Sequence, residues 1–271
     1  MLFRSHLAAI NYYKADVETS QEHGLNMPML DAQDSMEERM MKLHDGKATT
    51  AYNVWEKQLD KHLYGGTMII TTKEATHRTI STSVDPTKMG RWTSVLLAGK
   101  KDYKTRIVSV YNPIGTSKGS RSVNAQQQRR LRSIGDTRLP REALLEDLKH
   151  AVKQWIDDKE HLIVCMDANE NALTGSLAKM LKEQGLHNPI LTKHPQLASL
   201  ATYERSEQQF PIDAIMTTLD TADKINCGYF AFQDGIPGDH RTLWLDIPFE
   251  LIFGNNPPHI QGVNATPVAV Q

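Results

Sequence analysis

The chain has 271 residues, of which 39% are hydrophobic and 23% charged, and its formal net charge is −1. That is the makeup of an ordinary globular protein long enough to bury a substantial core. It excludes broad electrostatic adhesion to nucleic acid, so any such binding must come from a local patch.

In chain order, Leu2, Leu7, Ile10 and Tyr13 fall near helical spacing, and residues 16–22 read as a strand. Residues 23–62 are polar and Met-rich, with short helices predicted over 36–43 and 54–62. Residues 67–71, 79–83, 93–97 and 106–110 read as successive strands, and residues 114–124, Gly/Ser-rich and basic, as a surface loop. Residues 141–157 predict an amphipathic helix with Leu144, Leu145, Leu148, Val152, Trp155 and Ile156 on one face and Pro140 just ahead of it. A strand, a helix over about 177–184 stopped by Gly185, and three final strands complete the order. From Phe253 the composition turns to Gly, Asn and Pro, so the reading is one domain over 1–252 and a disordered tail over 253–271. There is no run of ~20 apolar residues to span a membrane and no signal peptide. Cys165 and Cys227 sit in apolar runs as buried thiols, which points to an intracellular protein, nuclear or cytoplasmic.

The most informative stretch is Leu162-Ile163-Val164-Cys165-Met166-Asp167-Ala168-Asn169. A short apolar run reads as a buried strand, and polar residues at its carboxyl end stand where open α/β sheets place their ligands. Asp167 and Asn169 share a parity, so both can aim into one cleft. Downstream, Phe210-Pro211-Ile212-Asp213-Ala214-Ile215-Met216 is another apolar run holding a single acid, and Gly238-Asp239-His240-Arg241 precedes a third strand-like segment over 242–247. An imidazole beside a carboxylate can orient or deprotonate a water, or hydrogen-bond a phosphate. The other histidines, His23, His62 and His77 among them, read as ordinary core or surface residues.

With these residues the sequence resembles the endonuclease/exonuclease/phosphatase (DNase I-like) superfamily. The family's Gly-Asp-Phe-Asn is similar to Met166-Asp167-Ala168-Asn169, its Ser-Asp-His to Gly238-Asp239-His240, and its Ile-Asp-Tyr-Ile to Ile212-Asp213-Ala214-Ile215. Its Leu-Gln-Glu matches Ser20-Gln21-Glu22, its strand-opening glycine pair Gly65-Gly66-Thr67, and its Tyr-x-Pro Tyr111-Asn112-Pro113. The spacing is closest to retrotransposon-type and apurinic/apyrimidinic endonucleases. Gly238 and Ala168 depart from the usual Ser and Phe, and the family's first strand, which carries an Asn, is not found ahead of Leu2. A chain without that strand is expected to be marginally stable and weakly active or inactive.

The resemblance implies an α/β sandwich of two packed mixed sheets with helices outside. It implies a hydrolase that cleaves nucleic acid, with DNA the expected partner, using Mg2+ or Mn2+. By resemblance Glu22 and Asp239 hold the metal or its waters, and Asp167 activates the nucleophilic water or protonates the leaving group. Asn169 and Tyr111 contact the phosphate, and Asp213 orients His240. Lys118, Arg121, Arg129, Arg130 and Arg132 surround a Gln run and read either as a solvated helix face or as a phosphate-contacting patch, with Lys118, Arg121 and Arg129 the candidate nucleic-acid contacts. Two other readings stand beside the endonuclease. One is an inositol-phosphate phosphomonoesterase, against which Gln208-Gln209-Phe210-Pro211 lacks that group's Trp-x-Asp-Arg. The other is an inactive remnant that serves at most as a binding domain.

Overall fold

The structure is a computed structural model, described over residues 12–30, 46–56, 62–115, 119–220 and 224–254. The strands are β1 (Val17–Gln21), β2 (Gly46–Ala51), β3 (Thr67–Thr72), β4 (Thr79–Val84), β5 (Trp92–Ala98), β6 (Lys104–Tyr111), β7 (His161–Asp167), β8 (Tyr203–Arg205), β9 (Gln208–Phe210), β10 (Asp213–Thr217), β11 (Asn226–Tyr229) and β12 (Leu243–Asp246). The helices are α1 (Lys73–His77), α2 (Val123–Ser133), α3 (Pro140–Asp157), α4 (Ser176–Glu183), α5 (Pro189–Lys193) and α6 (Phe249–Phe253).

The most continuously apolar runs form the centre of a five-stranded sheet in the order β10-β7-β6-β5-β4. Within it β6 and β7 are parallel, and the other pairs are antiparallel. A second, antiparallel sheet has the order β1-β3-β2, and β8–β9 and β11–β12 form two-stranded ladders.

Strand alternation sends side chains to two different cores. Ile107, Ile163 and Ile215 join Ile69, Val95 and Leu97 in the layer between the sheets. One residue out of phase, Val108, Val164 and Met216 face outward against Leu144, Leu148, Val152 and Trp155 of α3 and Leu177 and Leu181 of α4. Each large aliphatic side chain taken out of water contributes about 1.5–3 kcal/mol, and a parallel β6–β7 pair needs a crossover such as the α2–α3 segment. Ionic ties brace this frame. Fully buried Arg91 donates to Asp85 at 2.7 and 2.9 Å and to Asp147 of α3 at 2.8 Å. Arg106 donates to Glu160 at 2.5 and 3.0 Å.

The structure departs from the sequence reading in several places. Residues 46–51, left inside a polar segment, form β2 and take their register from β3. Val54 and Trp55 lie in a turn and His62 makes a bridge with Leu25, so the helix predicted over 54–62 is not formed at either end. The run from Phe210 to Met216 is two strands rather than one. The β8–β9 hairpin turns at Ser206 and Glu207, both at positive φ, and ends at Phe210. Pro211, which has no N–H to give a ladder, separates it from β10. The loop predicted over 114–124 already contains the start of α2, capped by Ser122. Phe253, the expected start of the tail, is buried at the end of α6.

The predicted helix over 36–43, most of the N-terminal helical segment and residues 255–271 lie outside the described residues. Cys165 and Cys227 are unpaired thiols. No helix among the described residues is long and apolar enough to cross a membrane.

Candidate active site

Register places the first three residues of the site. Tyr111 at the end of β6 is the parallel partner of Asp167 at the end of β7, and Asp167 is the antiparallel partner of Asp213 at the start of β10. Cross-strand partners point to the same face, so the three side chains form a row. Their parity is that of Ile107, Ile163 and Ile215, which puts the row at the end of the layer between the sheets, with Tyr111 and Asp167 buried and Asp213 partly exposed. Across this layer lies β1, fastened to the larger sheet by Gln21 Nε2 donating to Ser109 Oγ at 2.8 Å and Ser109 Oγ donating to the Ser20 carbonyl at 3.0 Å.

Glu22 follows β1 at φ 53°, with its N–H on the Gly66 carbonyl at 2.8 Å. The Gly65-Gly66 pair is required by sterics as well as by φ values of 88° and 90°. A Cβ on Gly66 would come within 2.4 Å of His23 Nε2, and one on Gly65 within 2.9 Å of Val123. The Tyr111 hydroxyl is close enough to the Glu22 carboxylate and the Asn169 amide for both to act on its titration. Burial, followed by the charges of Glu22 and Asp167, pushes the phenol far above its usual value, so it stays a proton donor.

The turn after β7 is tied on every side. The Asn169 N–H donates to Asp167 Oδ1 at 3.0 Å, and Asn169 Nδ2 donates to the Asn112 carbonyl at 2.8 Å and to Asp167 Oδ2 at 3.3 Å. Asn169 sits at φ 45°, a left-handed conformation that Asn tolerates better than most residues. Arg141 of α3 holds this turn from outside. Its Nη1 donates to the carbonyls of Asn169 at 3.1 Å and Pro113 at 3.3 Å, and its Nη2 pairs with Glu170 at 2.6 Å. Glu170 in turn accepts from the Leu177 N–H at 2.8 Å, near the start of α4. One guanidinium thus bridges the loops that follow Tyr111 and Asp167.

His240 closes the site. Its Nδ1–H donates to Asp213 Oδ2 at 2.9 Å, with Oδ1 at 3.1 Å, and its ring lies 4.9 Å from that of Tyr203. Thr202 anchors both partners: its carbonyl accepts from the Arg241 N–H at 2.6 Å, and its hydroxyl accepts from the Asp213 N–H at 2.9 Å. Burial by itself would lower the imidazole pKa, but the bond to Asp213 and the charges of Asp213, Asp167 and Asp239 outweigh it and raise it to about 9. His240 is therefore a cation at neutral pH. Asp167 is shifted the other way for an acid: burial first, then the neighbouring Asp213, lifts its carboxyl well above the usual range. Enclosure raises Glu22 as well, with Asp239 adding to the rise and His240 opposing it. Asp239 itself is exposed.

All seven residues read as catalytic or metal-holding, Glu22, Tyr111, Asp167, Asn169, Asp213, Asp239 and His240, thus meet at one end of the sandwich through direct contact or electrostatic coupling. Asp167, Asp213 and His240 bring potential ligand atoms within 4.8 Å of one another, but a protonated His240 has no lone pair to give, so at neutral pH only the two carboxylates of this group can face a cation. Of the basic patch, Arg121 is exposed just ahead of α2. Arg129 is engaged by Glu56 at 2.7 Å and the Ser120 carbonyl at 2.6 Å, and Lys118 lies outside the described residues. Arg141, Glu170, Thr202 and Tyr203 were not found from sequence, since an arginine in a helix's first turn or a threonine before a hairpin carries no local signature of a site.

No protein-family model and no curated protein matches the chain by sequence. Solved structures do match. The Neisseria 3′ phosphatase NExo, bound to a product DNA hairpin, is 14% identical with a TM-score of 0.59, over 90% of this chain and 93% of that one. The catalytic domain of Xenopus laevis APE2 is 12% identical at 0.59, over 89% and 88%. The endonuclease domain of TRAS1, a telomere-specific non-LTR retrotransposon, is 17% identical at 0.54, over 91% and 92%. At such identities the likeness is one of fold: the chain has the DNase I-like α/β architecture of the endonuclease/exonuclease/phosphatase superfamily, as its motifs imply.

Proposed function

We propose that this chain, with its DNase I-like fold, is a divalent-metal-dependent phosphodiesterase that cleaves nucleic acid internally. The observation that carries the reading is the meeting of a cationic, carboxylate-held His240 with a buried Asp167 of raised pKa, beside Glu22 and a protonated Tyr111. Phosphodiester hydrolysis needs an activated water, donors on the phosphoryl oxygens, and relief of negative charge.

The site's own groups divide that work. His240, its Nδ1 fixed by Asp213, offers Nε2–H to a phosphoryl oxygen. Tyr111 offers its hydroxyl to the same phosphate. Asp167, whose carboxyl takes a proton more readily than an ordinary aspartate, draws it from the attacking water. Asn169 keeps Asp167 in place and reaches the phosphate by releasing its longer, 3.3 Å contact.

The donor set fits a hard cation. Burial first, and then Asp239 for Glu22 and Asp213 and Glu22 for Asp167, raise these carboxyls, and hard divalent ions favour carboxylate oxygens. Glu22 and Asp239 are the residues that would hold Mg2+ or Mn2+, which when bound neutralises charge on the phosphate. DNA is the favoured substrate, supported by the DNA-bound Neisseria neighbour. A retroelement origin is supported by motif spacing and by the likeness to the TRAS1 domain. Of the three predicted contacts, Arg121 is described and exposed, just ahead of the helix whose Val123 abuts Gly65.

The test is nicking of supercoiled plasmid in Mg2+, in Mg2+ with excess EDTA, and by His240→Ala. End-labelled duplexes carrying a 3′ phosphate separate internal cleavage from 3′-phosphatase action, the activity printed for the Neisseria neighbour. An inositol polyphosphate tests the phosphomonoesterase reading. DNA binding with no turnover of any substrate would favour the inactive remnant.

A further inference from the structure

Trp55 is 47% exposed, yet both its backbone and its indole are tethered. Its backbone N–H donates to Asn53 Oδ1 at 3.1 Å, and its indole N–H donates to the Thr87 carbonyl at 2.8 Å. The guanidinium of Arg130, on α2, covers one face of the ring at 3.5 Å from its centroid. The turn around it is fixed by the Val54 N–H on the Lys88 carbonyl at 3.2 Å and by Asn53 Nδ2 on Gln126 Oε1 at 3.4 Å. Glu56 pairs with Arg129 at 2.7 Å. An apolar ring that merely filled a gap would be buried, whereas this one is locked with its edge anchored, one face propped by a cation and nearly half of the residue exposed.

The turn is connected through two short routes to the elements that carry the active site. Ala51, four residues before Trp55, and Gln21, next to Glu22, are both register partners of Thr67. Glu22 hydrogen-bonds to Gly66, and Gly65 abuts Val123 in the first turn of α2, the helix whose Arg130 lies on Trp55. Exposed Arg121 precedes that first turn.

We infer that Trp55 is a stacking platform for an unpaired base of the nucleic acid whose backbone occupies the active site. The inference rests on the nucleic-acid reading of that site and adds a contact distant from the scissile bond. A ring already immobilised loses little freedom on binding, a π face suits any base, and the nearby cationic side chain suits a polyanion. Base stacking on an aromatic side chain is sequence-tolerant, so the contact would contribute affinity and no sequence preference.

The test measures binding in EDTA, where no cleavage is expected, by fluorescence anisotropy. The probes are a fluorescein-labelled 16-mer of deoxythymidine and, as a polyanion without bases, labelled heparin. Trp55→Leu keeps apolar bulk but has no π face, and Trp55→Phe keeps a π face. We expect Trp55→Leu to weaken the oligonucleotide about 10-fold, Trp55→Phe to bind within about 2-fold of the parent chain, and heparin to be unaffected by either. Parent-like oligonucleotide binding by Trp55→Leu, equal loss in Trp55→Phe, equal loss of heparin, or no oligonucleotide binding by the parent chain would each overturn the platform. Trp55-dependent binding by a chain that cuts nothing in Mg2+ would instead sink the nuclease reading and leave the platform standing.

Discussion

Replacing Asp213 by Asn removes the charge that holds His240 protonated while keeping the side chain's shape. Burial pulls the His240 imidazole down, and Asp213, at 2.9 Å from Nδ1, is the first of the groups that lift it to about 9. The displacement from an ordinary 6.5 to about 9 would correspond to about 3 kcal/mol at ~1.4 kcal/mol per pH unit. Because 34% of the His240 side chain meets solvent, screening reduces this to about 1–2 kcal/mol. A raised folded pKa stabilises the fold below the unfolded value, and that contribution is lost as pH rises. His240 therefore contributes fully below about pH 6.5 and loses its contribution between there and about pH 9. The assay is NMR titration of the imidazole C–H resonances in metal-free protein. In Asp213→Asn the His240 titration is expected near 6.5 or below, since burial persists and only Asp167, Asp239 and Glu22 remain to hold the charge. A His240 titration that stays near 9 in the variant would refute the assignment of Asp213 as its partner.

Three further outcomes follow from the same contacts. Mg2+ at 100 times its Kd should stabilise the fold by about 2.7 kcal/mol through binding linkage, seen as a higher melting temperature, and Glu22→Gln should largely abolish the rise; equal stabilisation of both chains would remove Glu22 from the cation site. Arg141→Met frees the Asn169 and Pro113 carbonyls and the Glu170 carboxylate, so kcat should fall about 10-fold or more while KM changes little, and a KM effect alone would contradict its bridging role. Asp85→Asn leaves the fully buried Arg91 guanidinium with Asp147 alone and should cost about 3 kcal/mol in urea unfolding. Burial alone would raise the Asp85 carboxyl, but Arg91 and Thr87 hold it below the ordinary carboxylate value. Its contribution in the parent chain should therefore be intact above about pH 4 and fade as pH falls below that. A flat acid limb would contradict it.

The legibility of this fold follows from where specificity resides. β5, β6, β7 and β10 are apolar runs whose alternation serves two cores, so residues such as Ile107 and Val108 declare the strand without help from the rest of the chain. β2, made of Gly, Lys, Ala and Thr, declares nothing, and its pairing with β3 decides it. The β8–β9 hairpin was absorbed into the next strand because Phe210 fits the apolar pattern, although Pro211 marks the break. The site was legible at strand ends, where Asp167 and Asp213 interrupt apolar runs. Their roles, and those of Glu22 and Tyr111, came from the resemblance rather than from spacing. Arg141 was hidden because its partners Asn169 and Glu170 lie 28 and 29 residues away and meet it only once α3 packs on the sheet. Arg129, read as a phosphate contact, spends its guanidinium on Glu56 and Ser120, a pairing that charge pattern alone does not reveal.

The central claim is that the Glu22–Tyr111–Asp167–His240 site hydrolyses nucleic-acid phosphodiesters with a divalent ion. The most direct measurement is the initial rate of supercoiled-plasmid nicking by purified protein in Mg2+, compared with EDTA and with His240→Ala. The account predicts Mg2+-dependent nicking that vanishes in chelator and falls by about 100-fold or more in His240→Ala, with the variant's melting temperature close to that of the parent chain. Nicking that continues undiminished in EDTA, or at the parent rate in His240→Ala, would contradict it.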